Sequence, residues 1–271
     1  MIIDFDSNDW IPHLDAALGD LVEPSVKEAI RGGTFEYIDD ARRFLLSSSD
    51  PVAIIERTLD WIKSCEVMAY HGTYLNDERL AALEMEGLRQ LVIANRIAEI
   101  RARHPEIAKA LSFERAAEIV QADMLGGRDG QLHATISLKM FDEYDYATDG
   151  SEFDRRLLEG AGLGHLIDIL KDGGRSRIIH LKISGAMALD AMHPHVDIES
   201  LLAKGDLPNF VKEVLDVYAY HLHDPSYERR GEDSCLMFYH PIPATAIQRI
   251  VTMGHGLRPR LAAAGLQPRP S

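Results

Sequence analysis

The amino-acid sequence predicts a mixed α+β domain. Segments with helical and strand-like patterns alternate irregularly along the chain, so the βαβ unit of a doubly wound sheet does not repeat. The sequence also has no G-x-G-x-x-G motif after a predicted strand, and it has no internal repeat. Together these observations favour an α+β architecture over a regular parallel sheet.

Composition narrows the function classes. The chain has 271 residues, 46% of them hydrophobic, and a formal net charge of −14. This acidity argues against general nucleic-acid binding or attachment to an anionic membrane, since phosphates would be repelled over most of the surface. No apolar run reaches the roughly 18 residues of a membrane span and no basic stretch opens a secretory signal, so we expect a cytoplasmic protein. Cys65 and Cys235 both lie in apolar runs, which predicts two buried thiols without a disulfide.

The first 63 residues read as helical. Asp50 is placed to cap a helix whose first position is Pro51. The apolar face predicted for that helix comprises Val52, Ile55, Leu59 and Ile62. We therefore expect a helical segment over residues 1–63, packed on a main domain of residues 64–253, with a loose tail over 254–271.

The main domain opens with a short apolar run. Residues 65–70 predict a buried strand that ends in a loop at residues 71–73. Asn76 is a favourable N-cap for the next helix, which Gly87 is placed to end. Two more helices are predicted from apolar spacing. Their faces comprise Ile93, Ile97 and Ile100 in the first, and Phe113, Ala117, Val120 and Met124 in the second.

The later segments complete the α+β pattern. Strands are predicted over residues 131–138, 177–183, 234–239 and 247–252, and helical spacing recurs over 163–170 and 211–222. Ser151 and Glu152 have the residue types of an N-cap and a first turn, which predicts another helix from Phe153 onward.

One motif carries most of the functional information. Residues 69–76 read Ala-Tyr-His-Gly-Thr-Tyr-Leu-Asn, and residues 86–88 read Glu-Gly-Leu. This pattern resembles the ADP-ribosyltransferase superfamily, in its poly(ADP-ribose)-polymerase-like and bacterial toxin-like branch. There a strand ends in Tyr-His-Gly-Thr or Tyr-His-Gly-Ser, and a capped helix ends in Glu-Gly-Leu. The resemblance implies a mixed split sheet with helical insertions, NAD as the substrate and no metal.

The chemistry of these residues is suited to binding NAD. A neutral imidazole at His71 can hydrogen-bond a ribose hydroxyl, and Gly72 lets the backbone approach the nicotinamide carboxamide. Thr73 adds a hydroxyl, and Tyr70 belongs to the same expected binding segment. The structural alternative is that His71 only ends a strand and Gly72 only satisfies a turn.

A second cluster follows residues 130–135, Gly-Gln-Leu-His-Ala-Thr. These residues resemble the family's second strand, with His133 where a tyrosine is usual and Tyr146 as the following aromatic. Ser151 and Glu152 come next and are expected at the site. Their alternative role is the local one, a helix cap and a first-turn carboxylate.

The closing segment departs from the family pattern. Residues 232–239 and 241–250 resemble its last two strands, yet Cys235 stands where the catalytic glutamate is expected. Cleavage of the N-glycosidic bond of NAD passes through an oxocarbenium-like state that needs a carboxylate, and a thiol cannot supply it. We expect Glu152 to provide it, with Glu232 second. The remaining alternative is that the protein binds a nucleotide without turnover.

A rival arrangement is a metal site. His193, His195 and Asp197, with His221, His223 and Asp224, contain ligand types suited to zinc or iron. Adjacent prolines place both groups in loops, and neither has an established metal spacing; solvated loop histidines are the alternative.

The sequence therefore predicts an NAD-dependent ADP-ribosyltransferase acting on an unidentified protein, nucleic-acid or small-molecule acceptor. A catalytically inactive nucleotide- or partner-binding module on the same fold is the alternative, and a metal-dependent hydrolase is the second alternative. Arg229 and Arg230 lie in a polar loop and could instead meet a pyrophosphate.

Overall fold

The computed structural model describes residues 1–143, 151–171, 173–192, 198–204, 206–227 and 235–253. In these residues the chain has a mixed α+β fold, as the sequence predicts. Six strands are present there: β1 (Ile2–Ile3), β2 (Glu66–Leu75), β3 (Leu132–Thr135), β4 (Arg175–Ser184), β5 (Cys235–Phe238) and β6 (Ile247–Thr252).

The strands form one sheet in the order β5-β3-β2-β4-β6, and β1 pairs parallel with the start of β2. β2 and β3 are antiparallel, with Tyr70 opposite Thr135, and β4 and β6 are antiparallel too. The chain divides into two compact units. The first comprises Met1–Ala69 and Lys182–Leu236, and the second comprises Tyr70–Leu181 with the described residues after Leu236. The expected boundary at residue 63 stays a prediction.

The described part of the first unit is mainly helical. Its helices are α1 (Ile11–Ala17), α2 (Pro24–Gly32), α3 (Ile38–Ser47), α4 (Pro51–Lys63), α12 (Gly185–Met192), α13 (Ile198–Ala203) and α14 (Asn209–His223). α14 packs against α3, α2, α12 and α4, and its Asp216 is buried in an ion pair with Arg42, 2.7 Å from Nε to Oδ1.

Helix α4 begins as predicted, but its buried face matches the prediction only in part. The Asp50 carboxylate accepts hydrogen bonds from the backbone N–H groups of Val52 and Ala53, which confirms the cap. Leu59 and Ile62 of the predicted face are buried, but Val52 is 62% exposed, and Ile54, which was not assigned to that face, is fully buried. The helix carries apolar residues at adjacent positions, so spacing alone did not fix which stripe would be covered.

The described helices of the second unit are α5 (Asp77–Glu86), α6 (Ile93–Arg103), α7 (Pro105–Ala110), α8 (Phe113–Ala122), α9 (Met140–Glu143), α10 (Glu152–Gly160) and α11 (Ile167–Leu170). A hydrophobic core joins α6, α7, α8 and α10 through residues that include Ile97, Ile107, Ile119 and Leu157. The predicted apolar face of α6 is confirmed.

The predicted face of α8 is wrong. The buried residues of α8 are Ala116 and Ile119, while Phe113 is exposed and Met124 is 86% exposed. Met124 lies beyond the helix end, in the left-handed region, with φ of 54°. Arg101 covers the Phe113 ring instead, with its guanidinium carbon 4.3 Å from the ring centroid.

Two further corrections concern strands. β2 does not end at Tyr70 but continues through His71, Gly72 and Thr73 to Leu75. In the sheet β2 lies between β3 and β4, and pairing with a neighbouring strand favours extended backbone past the expected end. β3 is shorter than predicted.

Cys235 is exposed rather than buried, because alternation along β5 turns Leu236 and Phe238 inward. Cys65 is buried as expected.

None of the helices in the described ranges is long and apolar enough to cross a membrane. The expected tail at residues 254–271 lies outside the described residues.

Candidate functional site

His71 lies where β2 runs beside β3. Its Nδ1 is 2.7 Å from the carbonyl oxygen of His133. Because a carbonyl only accepts, Nδ1 carries the hydrogen and the neutral ring keeps Nε2 as an acceptor. Burial lowers the pKa of His71, and the bond to His133 opposes that shift only in part. The side chain is therefore a neutral acceptor at pH 7.

His133 belongs to a polar cluster with Gln131, Arg128 and Tyr239. Its Nε2 is 3.0 Å from Gln131 Oε1 and 3.3 Å from Arg128 Nη1. Gln131 Nε2 donates to the Tyr239 hydroxyl over 3.1 Å. Burial, and then the positive charge of Arg128, lower the pKa of His133, while the Glu152 carboxylate opposes them. We call His71, His133, Gln131, Arg128 and Glu152 the histidine cluster.

Glu152 joins this cluster through Arg128. Its Oε2 lies 3.0 Å from Arg128 Nη2, and its Oε1 lies 3.7 Å from Arg156 Nη1. The Glu152 side chain is 46% exposed. It occupies the first position of α10, and the Ser151 hydroxyl accepts from the Asp154 N–H at 3.3 Å. The local prediction for Ser151, a helix cap, is thus confirmed, and the same helix start brings Glu152 toward His133.

The other predicted residues divide into three groups. Gly72 and Thr73 lie inside β2 and are partly exposed. Tyr70 is 2% exposed, and its ring packs edge-on against the His180 ring at a centroid distance of 5.0 Å, so it is a packing residue here. Tyr146 and Glu232 lie outside the described residues.

Two segments singled out in the sequence, the Glu-Gly-Leu helix end and the closing turn, meet in space. Leu88 and Ile242 exchange two backbone hydrogen bonds, each 2.9 Å long. Gly87 has φ of +82°, and a Cβ there would stand 2.1 Å from the Ile242 carbonyl oxygen. The backbone at the Glu-Gly-Leu helix end therefore packs directly against the closing Pro-Ile-Pro turn. Only glycine fits at position 87 of this contact.

β5 brings the closing segment beside β3. Cys235 starts this strand and is exposed. Four residues later the Tyr239 carbonyl accepts from Gln90 Nε2 at 2.6 Å, and its hydroxyl reaches Gln131. Tyr239, directly after the strand, thus brings a phenol to Gln131 of the cluster, while Cys235 puts a thiol at the expected catalytic position.

Arg128, Gln131 and Tyr239 are site residues that sequence reasoning missed. Gln131 precedes His133 by two positions, so strand alternation could have placed both on one face. Arg128 follows Gly126 and Gly127 in a 3₁₀ turn, and no local signal points it toward Glu152.

Within the described residues, no group of three or more histidine, cysteine, aspartate or glutamate side chains could hold a metal ion. His193, His195 and Asp197 of the rival metal hypothesis lie outside those residues.

No family model, curated protein or solved structure matches this chain.

Proposed function

We propose that this chain binds NAD and transfers its ADP-ribose unit to an acceptor, with loss of nicotinamide. The observation that carries the proposal is the convergence of segments that are far apart in sequence. The strands that contain His71, His133 and Cys235 are adjacent in the order β5-β3-β2, and the Glu-Gly-Leu segment bonds to the closing turn. A chance match of short motifs gives no reason for this adjacency.

The state of His71 adds independent support. Nicotinamide ribose offers hydroxyl donors, and the Nδ1–H bond to His133 leaves Nε2 as a matching acceptor. Gly72, beside it on β2, has no Cβ, so a ligand can approach the strand more closely there than at a residue with a side chain.

The carboxylate assigned to the reaction is Glu152. Loss of nicotinamide leaves positive charge on the ribose, and a carboxylate close to that charge lowers the barrier. Arg128 contacts both Glu152 and His133, and its own charge is balanced by the Glu152 carboxylate.

A second candidate is nucleotide binding without turnover. It is favoured by Cys235 at the expected carboxylate position and by the pairing of Glu152 with two arginines, Arg128 and Arg156. Binding of NAD without release of nicotinamide would select it.

The first prediction tests NAD binding. His71→Ala should weaken NAD binding by about 1–3 kcal/mol, the cost of leaving a buried polar partner unpaired. Titration calorimetry with NAD and ADP-ribose measures the change. His165→Ala, at an exposed histidine of the same unit, should leave affinity unchanged.

The pH dependence is part of the same test. Protonation of His71 removes the Nε2 acceptor, and burial lowers the pKa of this group. Affinity should therefore persist below the pH at which an ordinary histidine is half protonated, about 6.5, and decline only in more acidic solution. No binding of NAD or ADP-ribose at millimolar concentration by the unaltered protein would refute the proposal.

A further inference from the structure

A polar cavity of about 340 Å³ lies in the second unit, lined in part by Arg79, Arg96 and Arg103. Asn76 and His104 also line it, and Tyr74 and Ile100 give it an apolar wall. This volume is at the lower end of small-molecule sites. None of these residues belongs to the histidine cluster.

The three arginines are held by carboxylates beside the cavity. Arg96 is fixed by a bidentate pair with the buried Asp154, with Nε 2.9 Å from Oδ1, and its Nη1 binds Glu99 at 2.7 Å. Arg79 donates from Nη2 to Glu99, and Arg103 Nε lies 3.4 Å from the same carboxylate. Glu99 thus gathers three guanidinium groups around one anionic centre.

This pairing leaves donors unused. In the described part of the chain, Arg79 pairs with Glu99 through Nη2, which leaves its Nε and Nη1 for another acceptor. Arg103 pairs through Nε and Nη2, the latter 3.5 Å from the exposed Glu78, which leaves Nη1. Glu106, exposed at the cavity, is the opposing charge in its lining.

We infer that this cavity binds the phosphate group of a small organic phosphate. Guanidinium groups match phosphate oxygens with paired N–H donors, and positions held by carboxylates lose little freedom on binding. The apolar wall of Tyr74 and Ile100 suits the sugar or ring that carries the phosphate. The phosphate can belong to a separate phosphate ester or to the diphosphate of a dinucleotide, and only the second source rests on the proposed function.

The test uses inorganic pyrophosphate and ribose 5-phosphate as probes, titrated calorimetrically into the full chain at constant ionic strength. Saturable binding is expected for both. Arg79→Gln and Arg103→Gln should each weaken it about tenfold or more, the scale of a lost charge-assisted contact. Arg115→Gln is the matched control, since Arg115 forms an exposed ion pair with Glu118 on α8 and does not line the cavity.

Competition between the probes and NAD distinguishes the two sources of the phosphate. Mutual exclusion of pyrophosphate and NAD would assign the cavity to the dinucleotide diphosphate, and simultaneous binding would assign it to a separate phosphate ester. His71→Ala should leave pyrophosphate binding unchanged. A failure of the proposed NAD binding is therefore distinguishable from a failure of phosphate binding in the cavity. No saturable binding at ten millimolar probe, on the order of a hundredfold above a useful affinity, overturns the inference. Equal losses in the Arg79, Arg103 and Arg115 variants do so too.

Discussion

Replacing Asp154 by alanine should lower the free energy of unfolding by about 3–5 kcal/mol, the largest effect expected of a single substitution here. Asp154 has a side chain 6% exposed and forms a bidentate pair with Arg96, whose side chain is also mostly buried. Burial opposes the charge on Arg96, but the hydrogen bonds and charge of Asp154, with help from Glu99, raise the pKa of this guanidinium. Removal of Asp154 leaves that charge without its main partner.

Chemical denaturation with a two-state fit measures the loss. Glu118→Ala is the control, because it breaks an exposed pair with Arg115 and should cost no more than about 0.5 kcal/mol. Replacing Arg96 and Asp154 together by leucine should recover most of the lost stability, since no buried charge then remains unpaired. An Asp154→Ala variant as stable as the Glu118→Ala variant would contradict this account.

Replacing Glu152 by glutamine should lower turnover of NAD by roughly a hundredfold or more while leaving binding nearly intact. Glutamine keeps the size of the side chain but removes the negative charge that would stabilise positive charge on the ribose. Release of nicotinamide from NAD measures turnover, and calorimetry measures binding. The matched control is Glu159→Gln, an exposed glutamate on the same helix, which should leave both unchanged.

Glu232→Gln decides between the two carboxylates. If Glu152→Gln keeps full activity and Glu232→Gln loses it, the catalytic carboxylate belongs to the closing segment and the assignment of Glu152 is wrong. If NAD binds but the unaltered protein releases no nicotinamide, the second candidate, binding without turnover, replaces the first.

The expected helix ends illustrate what a single sequence can predict. Asp50, Asn76 and Ser151 each accept backbone hydrogen bonds at helix starts, as their residue types indicated. Gly87 ends α5 with a positive φ. These features depend on a few neighbouring residues, so the information that specifies them is local.

The buried faces of helices were less predictable. In α4 and α8, two apolar stripes run side by side, and the surrounding elements covered Ile54 and Ile119 and left Val52 and Phe113 outside. Which apolar stripe becomes buried depends on the element that packs against it. The spacing of apolar residues carries no information about that element.

By itself the sequence determined the α+β composition, the helix caps and the motif that led to His71, His133 and Glu152. Tertiary structure alone decided that β2 continues through His71, that Arg128 links His133 to Glu152, and that Gly87 meets Ile242. It also buried Asp154 against Arg96, a pair 58 residues apart in the chain. The physical reason is the range of the interactions: caps and turns are satisfied within one helical turn, whereas strand neighbours and buried ion pairs join segments whose approach no local pattern encodes.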